Sequence, residues 1–218
     1  MLLARFAPLG FSLDPRRAVP KTPDLMKFLP LLFAALLSPL ALLADDWQPE
    51  PGFVSLFNGK DMTGWHYLGE PGIEGKTEAT DGRYSVVNGL FTVHPHDPAK
   101  GPRLRQFWTV QEFPHDFILR LEFRAAYNAD SGIFLRKPQL QCRDYLVAGP
   151  YKTLTKYKAQ DWNEIEVVVK DNVARCTCNG EVLEEALKLP ATGPIGLEAD
   201  RDQVEYRHIR IKEITDGK

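Results

Sequence analysis

Cysteine is scarce in this chain: its 218 residues hold three, Cys142, Cys176 and Cys178, too few for a disulfide-built scaffold. No C-x-x-C and no H-x-x-x-H spacing occurs, so the sequence offers no ordinary zinc pattern. Neither charge sign dominates. Lys and Arg number 27 against 29 Asp and Glu, a net charge of -2, which excludes the basic footprint of a typical nucleic-acid binder. The longest apolar run, Phe28 to Ala44, has about 17 residues with Pro30 and Pro39 inside it, short of the roughly 20 that a membrane-crossing helix needs. Apolar spacing of the helical kind is also scarce, which argues against a helix-built core.

What is present begins with that apolar run. It is led by Met26 and Lys27 and followed at once by Asp45 and Asp46, the charge order of a secretory signal peptide cleaved after Ala44. Residues 1–44 are therefore set apart as an N-terminal extension and signal, with Met26 as a candidate start, and a secreted or periplasmic location is expected. Removing their five basic and two acidic residues leaves 22 basic against 27 acidic. No stable membrane span and no nucleic-acid partner are expected of the remainder; nothing in the sequence sets the oligomeric state.

From residue 53 the apolar pattern has a period of two. Phe117, Leu119, Leu121 and Phe123 alternate with Ile118, Arg120, Glu122 and Arg124; Ile165, Val167 and Val169 repeat the pattern, as half-buried strands do. Asn88-Gly89 and Asn179-Gly180 stand between short β-rich runs, the signature of tight hairpins. Val54, Leu56 and Trp65 read as apolar anchors, and Glu184–Leu187 as one helical turn. Cys176 and Cys178 fall on one strand face and cannot bridge each other. Buried free thiols are the favoured reading, with a Cys142 bridge to one of them as the alternative. His94, His96 and His115 read as loop residues. Trp65, Trp108 and Trp162 read as core aromatics, one of which would suit sugar stacking if exposed. Many short strands with regular turns predict an all-β sandwich over residues 53–214.

The polar side chains concentrate in Tyr127–Asp144, YNADSGIFLRKPQLQCRD. Asp130 lies in a small-residue turn beside Gly132, where a carboxylate can approach a ligand closely or simply cap the turn. Arg136 follows the apolar run IFL and supplies a permanently charged fork of donors.

Six stretches in one order carry a family likeness: FVSLFNGKDMTGW, DFILRLEFR, DSGIFLR with PQLQ, WNEIEVVVK, CNGE, and GPIGLE with VEYRHIRIKEI. Together they resemble the bacterial 3-keto-disaccharide hydrolase domain family. The resemblance implies a concanavalin A-like jelly roll of two antiparallel sheets, whose concave face holds saccharide, and cleavage of glycosides already oxidised at sugar C3. A C3 ketone acidifies the C2 hydrogen, so such cleavage needs a base at C2, a donor at the C3 oxygen and an acid for the leaving group. On this basis Asp130 is the expected base, Arg136 the oxyanion holder and Glu122 a further catalytic carboxylate, with Arg124, Gln139, Gln141 and Glu198 lining the saccharide face. Gln139 stands where the family often has Glu. Glu198, Ala199, Asp200 and Arg201 stand where a His is common. No cofactor is evident, and a divalent metal is left open. The alternative reading is a noncatalytic carbohydrate-binding module on the same scaffold.

Overall fold

The structure, a computed structural model, describes residues 47–214; the signal-peptide reading of residues 1–44 lies outside them. The described chain folds as strands β1 (Val54–Ser55), β2 (Trp65–Tyr67), β3 (Tyr84–Val87), β4 (Leu90–Val93), β5 (Arg105–Glu112), β6 (Asp116–Ala125), β7 (Gly132–Leu135) and β8 (Gln139–Gln141). A four-residue helix α1 (Tyr145–Ala148) precedes β9 (Asn163–Lys170), β10 (Val173–Cys178), β11 (Glu181–Lys188), β12 (Pro194–Ala199) and β13 (Val204–Ile214). No helix among the described residues is long and apolar enough to cross a membrane.

Two antiparallel sheets result. The first runs β11-β10-β9-β6-β13-β4-β3, with β1 also paired to β13; the second runs β2-β5-β12-β7-β8. The period-two pattern explains the layering. Phe117, Leu119, Leu121 and Phe123 of β6 are fully buried between the sheets, while Arg120, Glu122 and Arg124 face outward. The predicted hairpins form, with positive φ at both Asn88 (51°) and Gly89 (77°) and at both Asn179 (49°) and Gly180 (80°), as primed turns require. This is the predicted all-β jelly-roll sandwich.

An aromatic cluster fills the inter-sheet space near β2–β5. Trp65, Tyr84, Phe91 and Phe107 are fully buried, with ring centroids 4.9–6.2 Å apart, each such pair contributing about 0.5–1.5 kcal/mol beyond area burial. Two tyrosine hydroxyls cross the sandwich. Tyr84 on β3 donates towards the Leu197 carbonyl (2.9 Å), with the Arg105 carbonyl 3.1 Å away. Ser131 donates to the Glu198 carbonyl (2.6 Å) and so accepts from Tyr206 of β13 (2.7 Å). Both bridges end on β12.

Four details differ from the sequence reading. Val54 is 62% exposed, because β1 pairs only with one edge of β13. Glu184–Leu187 extends β11 instead of turning, since ladder bonds to β10 outweigh the cost of nucleating one helical turn. Strand β5 goes unread because its centre, Phe107-Trp108-Thr109-Val110, is a continuous run without apolar–polar alternation. Helix α1 is also unforeseen. The three thiols are buried and free, and burial pushes Cys176 and Cys178 up to about 12, which leaves them unreactive.

Two predictions test this architecture. Tyr206→Phe should lower unfolding free energy by roughly 1–2 kcal/mol, the cost of a buried hydrogen bond, seen as a shifted urea midpoint with an unchanged slope. On the outer face of the first sheet, hydrogen bonding to His208 and the Arg207 guanidinium hold Glu122 at about 2, below its ordinary 4.5. A depressed carboxylate contributes stability that is complete above the unfolded value and lost as pH falls through the folded one. The urea midpoint of the wild type should therefore fall between pH 4.5 and 2 more steeply than that of Glu122→Gln.

Candidate functional site

The outward face of the second sheet gathers most of the polar side chains that the sequence singles out. Along β12, Ile195, Leu197 and Ala199 point into the core, so Gly196 and Glu198 point out. Along β8, Leu140 points in, and Gln139 and Gln141 point out. The register aligns them in rows. Trp108, Gly196, Phe134 and Gln139 form one row; Gln106, Glu198, Gly132 and Gln141 form the next.

Two glycines shape this face. A Cβ on Gly196 would lie 2.6 Å from the Trp108 ring, and one on Gly132 would lie 2.3 Å from Gln139 Nε2. The bare backbone of β12 thus seats Trp108 against Phe134, centroids 4.9 Å apart. That of β7 lets Gln139 lie across the strand to reach Glu198.

A chain of donors connects two carboxylates. Arg143 donates to Gln141 Oε1, Gln141 Nε2 donates to Gln139 Oε1 (3.1 Å), and Gln139 Nε2 donates to Glu198 Oε2. The same Arg143 guanidinium lies 2.7 Å from Asp130 Oδ1, and Arg201 lies 3.9 Å from Asp130 Oδ2. The Asp130 backbone is held by both hydrogen bonds of an isolated bridge to Arg201 (2.8 and 3.1 Å). Beside them Asp200 pairs with Arg103 at 2.5 Å.

Burial dominates the electrostatics. Glu198 is 9% exposed, and desolvation raises its pKa despite the Gln139 hydrogen bond, with Asp200 and Asp130 adding repulsion. Asp130 is also raised, first by desolvation, with Arg143 opposing. Two carboxyls biased towards the protonated form beside fixed guanidinium groups suit proton transfer. Among the described residues no three His, Cys, Asp or Glu side chains converge as a metal site would require.

Of the seven residues singled out, Asp130, Gln139, Gln141 and Glu198 share this face. The other three lie elsewhere. Glu122 pairs with Arg207 at 2.7 Å on the outer face of the first sheet. Arg124 pairs there with Glu205 at 2.5 Å and lies 4.8 Å from the Trp162 ring. The even positions of β6 face away from the second sheet, which period-two alternation cannot reveal. Arg136 sits at the opposite end of β7 from Asp130, 4% exposed, donating to Asn172 Oδ1 (2.8 Å) and to the carbonyls of Pro190 (2.8 Å) and His115 (2.6 Å). Its donors tie loops together.

Arg143 is the residue that sequence reasoning missed. The alternation Gln139, Gln141, Arg143 carries the signal, since period two puts the guanidinium in line with both amides. Gln139 supplies through its amide the donor that an ionised carboxylate could not give to Glu198.

The raised Glu198 value fixes the sign of a stability change. A carboxyl raised on folding contributes stability below its unfolded value that is lost as pH rises through the folded one. Ionised Glu198 therefore costs stability at neutral pH. Glu198→Gln should show a urea midpoint at pH 8 equal to or above wild type, with the difference vanishing towards pH 4.

The comparisons with known proteins agree with this architecture. A candidate glycosyl hydrolase from Parabacteroides distasonis superposes with a TM-score of 0.59 at 18% identity, covering 75% of this chain and 95% of its own. A second from the same organism gives 0.51 at 16% identity, covering 69% and 99%. At such identities these likenesses establish the fold alone. No curated protein matches the chain. The family described as the 3-keto-alpha-glucoside-1,2-lyase-like domain matches residues 52–212, which is most of the chain. With its jelly-roll sandwich and its ordered run of motifs, this chain belongs to the 3-keto-alpha-glucoside-1,2-lyase-like domain family.

Proposed function

We propose that this chain is an exported enzyme that cleaves 3-keto-glycosides by elimination across C1 and C2, on the outer face of the second sheet. One observation carries the reading: an ion pair joins Asp130 to Arg143, and hydrogen bonds run on from Arg143 through Gln141 and Gln139 to Glu198. It holds a buried and a partly buried carboxyl, both with raised pKa values, and a guanidinium on one surface.

The roles follow from position. Asp130, oriented by Arg143, removes the C2 proton made acidic by the C3 ketone. Arg143 stabilises the enolate oxygen that forms, a task for preorganised donors in a dry site. The enolate then expels the C1 oxygen, and Glu198, whose burial favours the protonated form, gives that oxygen its proton. The C1–O bond breaks, a C1–C2 double bond forms, and the products are an alcohol and an enone sugar; addition of water at C1 completes net hydrolysis.

A second reading, a noncatalytic saccharide-binding module, draws on the amides of Gln106, Gln139 and Gln141. It gains no open aromatic platform from Trp108 and Phe134, which are each only 7% exposed. Export rests on the apolar run Phe28–Ala44 and the acidic pair behind it, and predicts a mature N-terminus at Asp45.

The experiment is to incubate purified protein with a 3-keto-glucoside in deuterated water, following C2 exchange by NMR and alcohol release by chromatography. Wild type should do both. Asp130→Asn should lose both by about 10²–10⁴-fold, the usual worth of a general base. Glu198→Gln should retain exchange and lose release. Saturable saccharide binding without exchange or release would place the chain with the binding modules.

A further inference from the structure

The row that carries Glu198 continues past the proton-transfer groups. Gln106 pairs with Glu198, and one strand further Leu68 follows Tyr67, the partner of Phe107. Leu68, Gln106 and Glu198 therefore lie in line across β2, β5 and β12, with Leu68 about 10 Å from Glu198 at two strand spacings. Leu104 precedes β5 on the same side, as the neighbour of Arg105. An open groove of about 210 Å³ lies here, lined by Tyr67, Leu68, Leu104, Arg105, Gln106 and Trp108.

This groove is poorly equipped to hold a sugar. A pyranose presents hydroxyls all round its rim and needs several convergent donors and acceptors. Arg105 is committed elsewhere: its Nε lies 2.9 Å from Asp81, its Nη2 3.2 Å from Glu70, and its guanidinium carbon 3.7 Å from the centre of the Tyr67 ring. The Tyr67 hydroxyl donates to Asp81 at 2.6 Å. Among the lining side chains the amide of Gln106 is left as an exposed polar contact, beside a buried Trp108 indole N–H that has no hydrogen-bond partner.

The lining divides about evenly between polar and apolar atoms, and two exposed leucines contribute to the apolar half. Leu68 is 74% and Leu104 55% exposed, and single exposed leucines are unremarkable, but these two line one groove beside a candidate proton donor. Covering such surface with an apolar ring is favourable by roughly 25 cal/mol per Å². A volume of about 210 Å³, below the roughly 300–1,000 Å³ of drug-sized sites, matches one ring better than an oligosaccharide.

We infer that this groove is a leaving-group subsite that selects a single aromatic ring, making aryl 3-keto-glycosides the preferred substrate class, with Leu68 and Leu104 as specificity-determining residues. The inference rests on the proposed cleavage reading, in which Glu198 protonates the departing oxygen. That oxygen must lie beside Glu198, and the neighbouring groove is where the group attached to it would extend.

The test compares phenyl 3-keto-glucoside with a 3-keto-glucosyl-glucose of the same anomeric configuration. The readout is the ratio of the two kcat/KM values in the wild type and in Leu68→Ser with Leu104→Ser; comparing variant with wild type cancels the intrinsic difference between the leaving groups. Both leucines are exposed, so folding should survive, and a urea titration checks that it does. The ratio should fall about tenfold or more, as for lost apolar contacts in a specificity pocket. In a second arm, 4-methylphenol is titrated into the wild-type protein while the Leu68 and Leu104 methyl resonances are followed. Saturable shifts support the subsite. An unchanged ratio, or methyl resonances indifferent to the ligand, overturns it. If neither glycoside is turned over, the cleavage reading fails, and the titration alone decides whether the groove takes an aromatic ring.

Discussion

The site depends on where β12 is held. Its carbonyls at Leu197 and Glu198 accept hydrogen bonds from groups anchored across the core, Tyr84 directly and Tyr206 through Ser131. These hydroxyls are buried among apolar side chains, where an unmade hydrogen bond costs about 1–3 kcal/mol. The sandwich therefore has little freedom to slide one sheet over the other without breaking them. The restraint extends to the candidate site. The backbone atom that Ser131 restrains belongs to Glu198, whose side chain is the most deeply buried member of the carboxyl pair.

The two sheets treat the same residue type in opposite ways. On the first, Glu122 meets Arg207 and His208, and its charge is stabilised, so its pKa drops to about 2. On the second, burial outweighs the donors offered to Glu198 and Asp130, and both are raised. The outer face of the first sheet is a field of ion pairs whose charges cancel: Arg120 with Glu166, Arg124 with Glu205, Arg210 with Glu50. The second face keeps its carboxyls costly. Raised values suit the proton transfers proposed for these two groups, and the tyrosine bridges and the aromatic cluster stabilise the sandwich beneath them.

Much of the fold is readable from periodicity, since alternation in β6 and β9 and the Asn-Gly turns are local properties. Strand β5 escapes because its outward Trp108 is apolar, and an apolar residue faces outward there only because Gly196 on the neighbouring strand leaves room for its ring. The candidate site is half readable. Asp130, Gln139 and Gln141 sit within one eighteen-residue stretch that looks rich in chemistry. Arg136 looks as suitable as Arg143 by residue type, and the alternation that lines Arg143 up with Gln139 and Gln141 does not say which guanidinium meets a carboxylate.

The sequence by itself determined that this chain builds a β-sandwich with inward faces given by every second residue, and that its polar residues cluster around Tyr127–Asp144. It also carried the family likeness, because ordered motifs survive as local text. Only the tertiary structure decided which outward face gathers the candidate site residues. Alternation says that Glu122 and Glu198 both point away from the core but cannot say on which side of it, since that is set by strand order and register between segments far apart in sequence. The same pairing brought Leu68 and Gln106 into line with Glu198, and made a stretch that began as a polar cluster one flank of a longer surface.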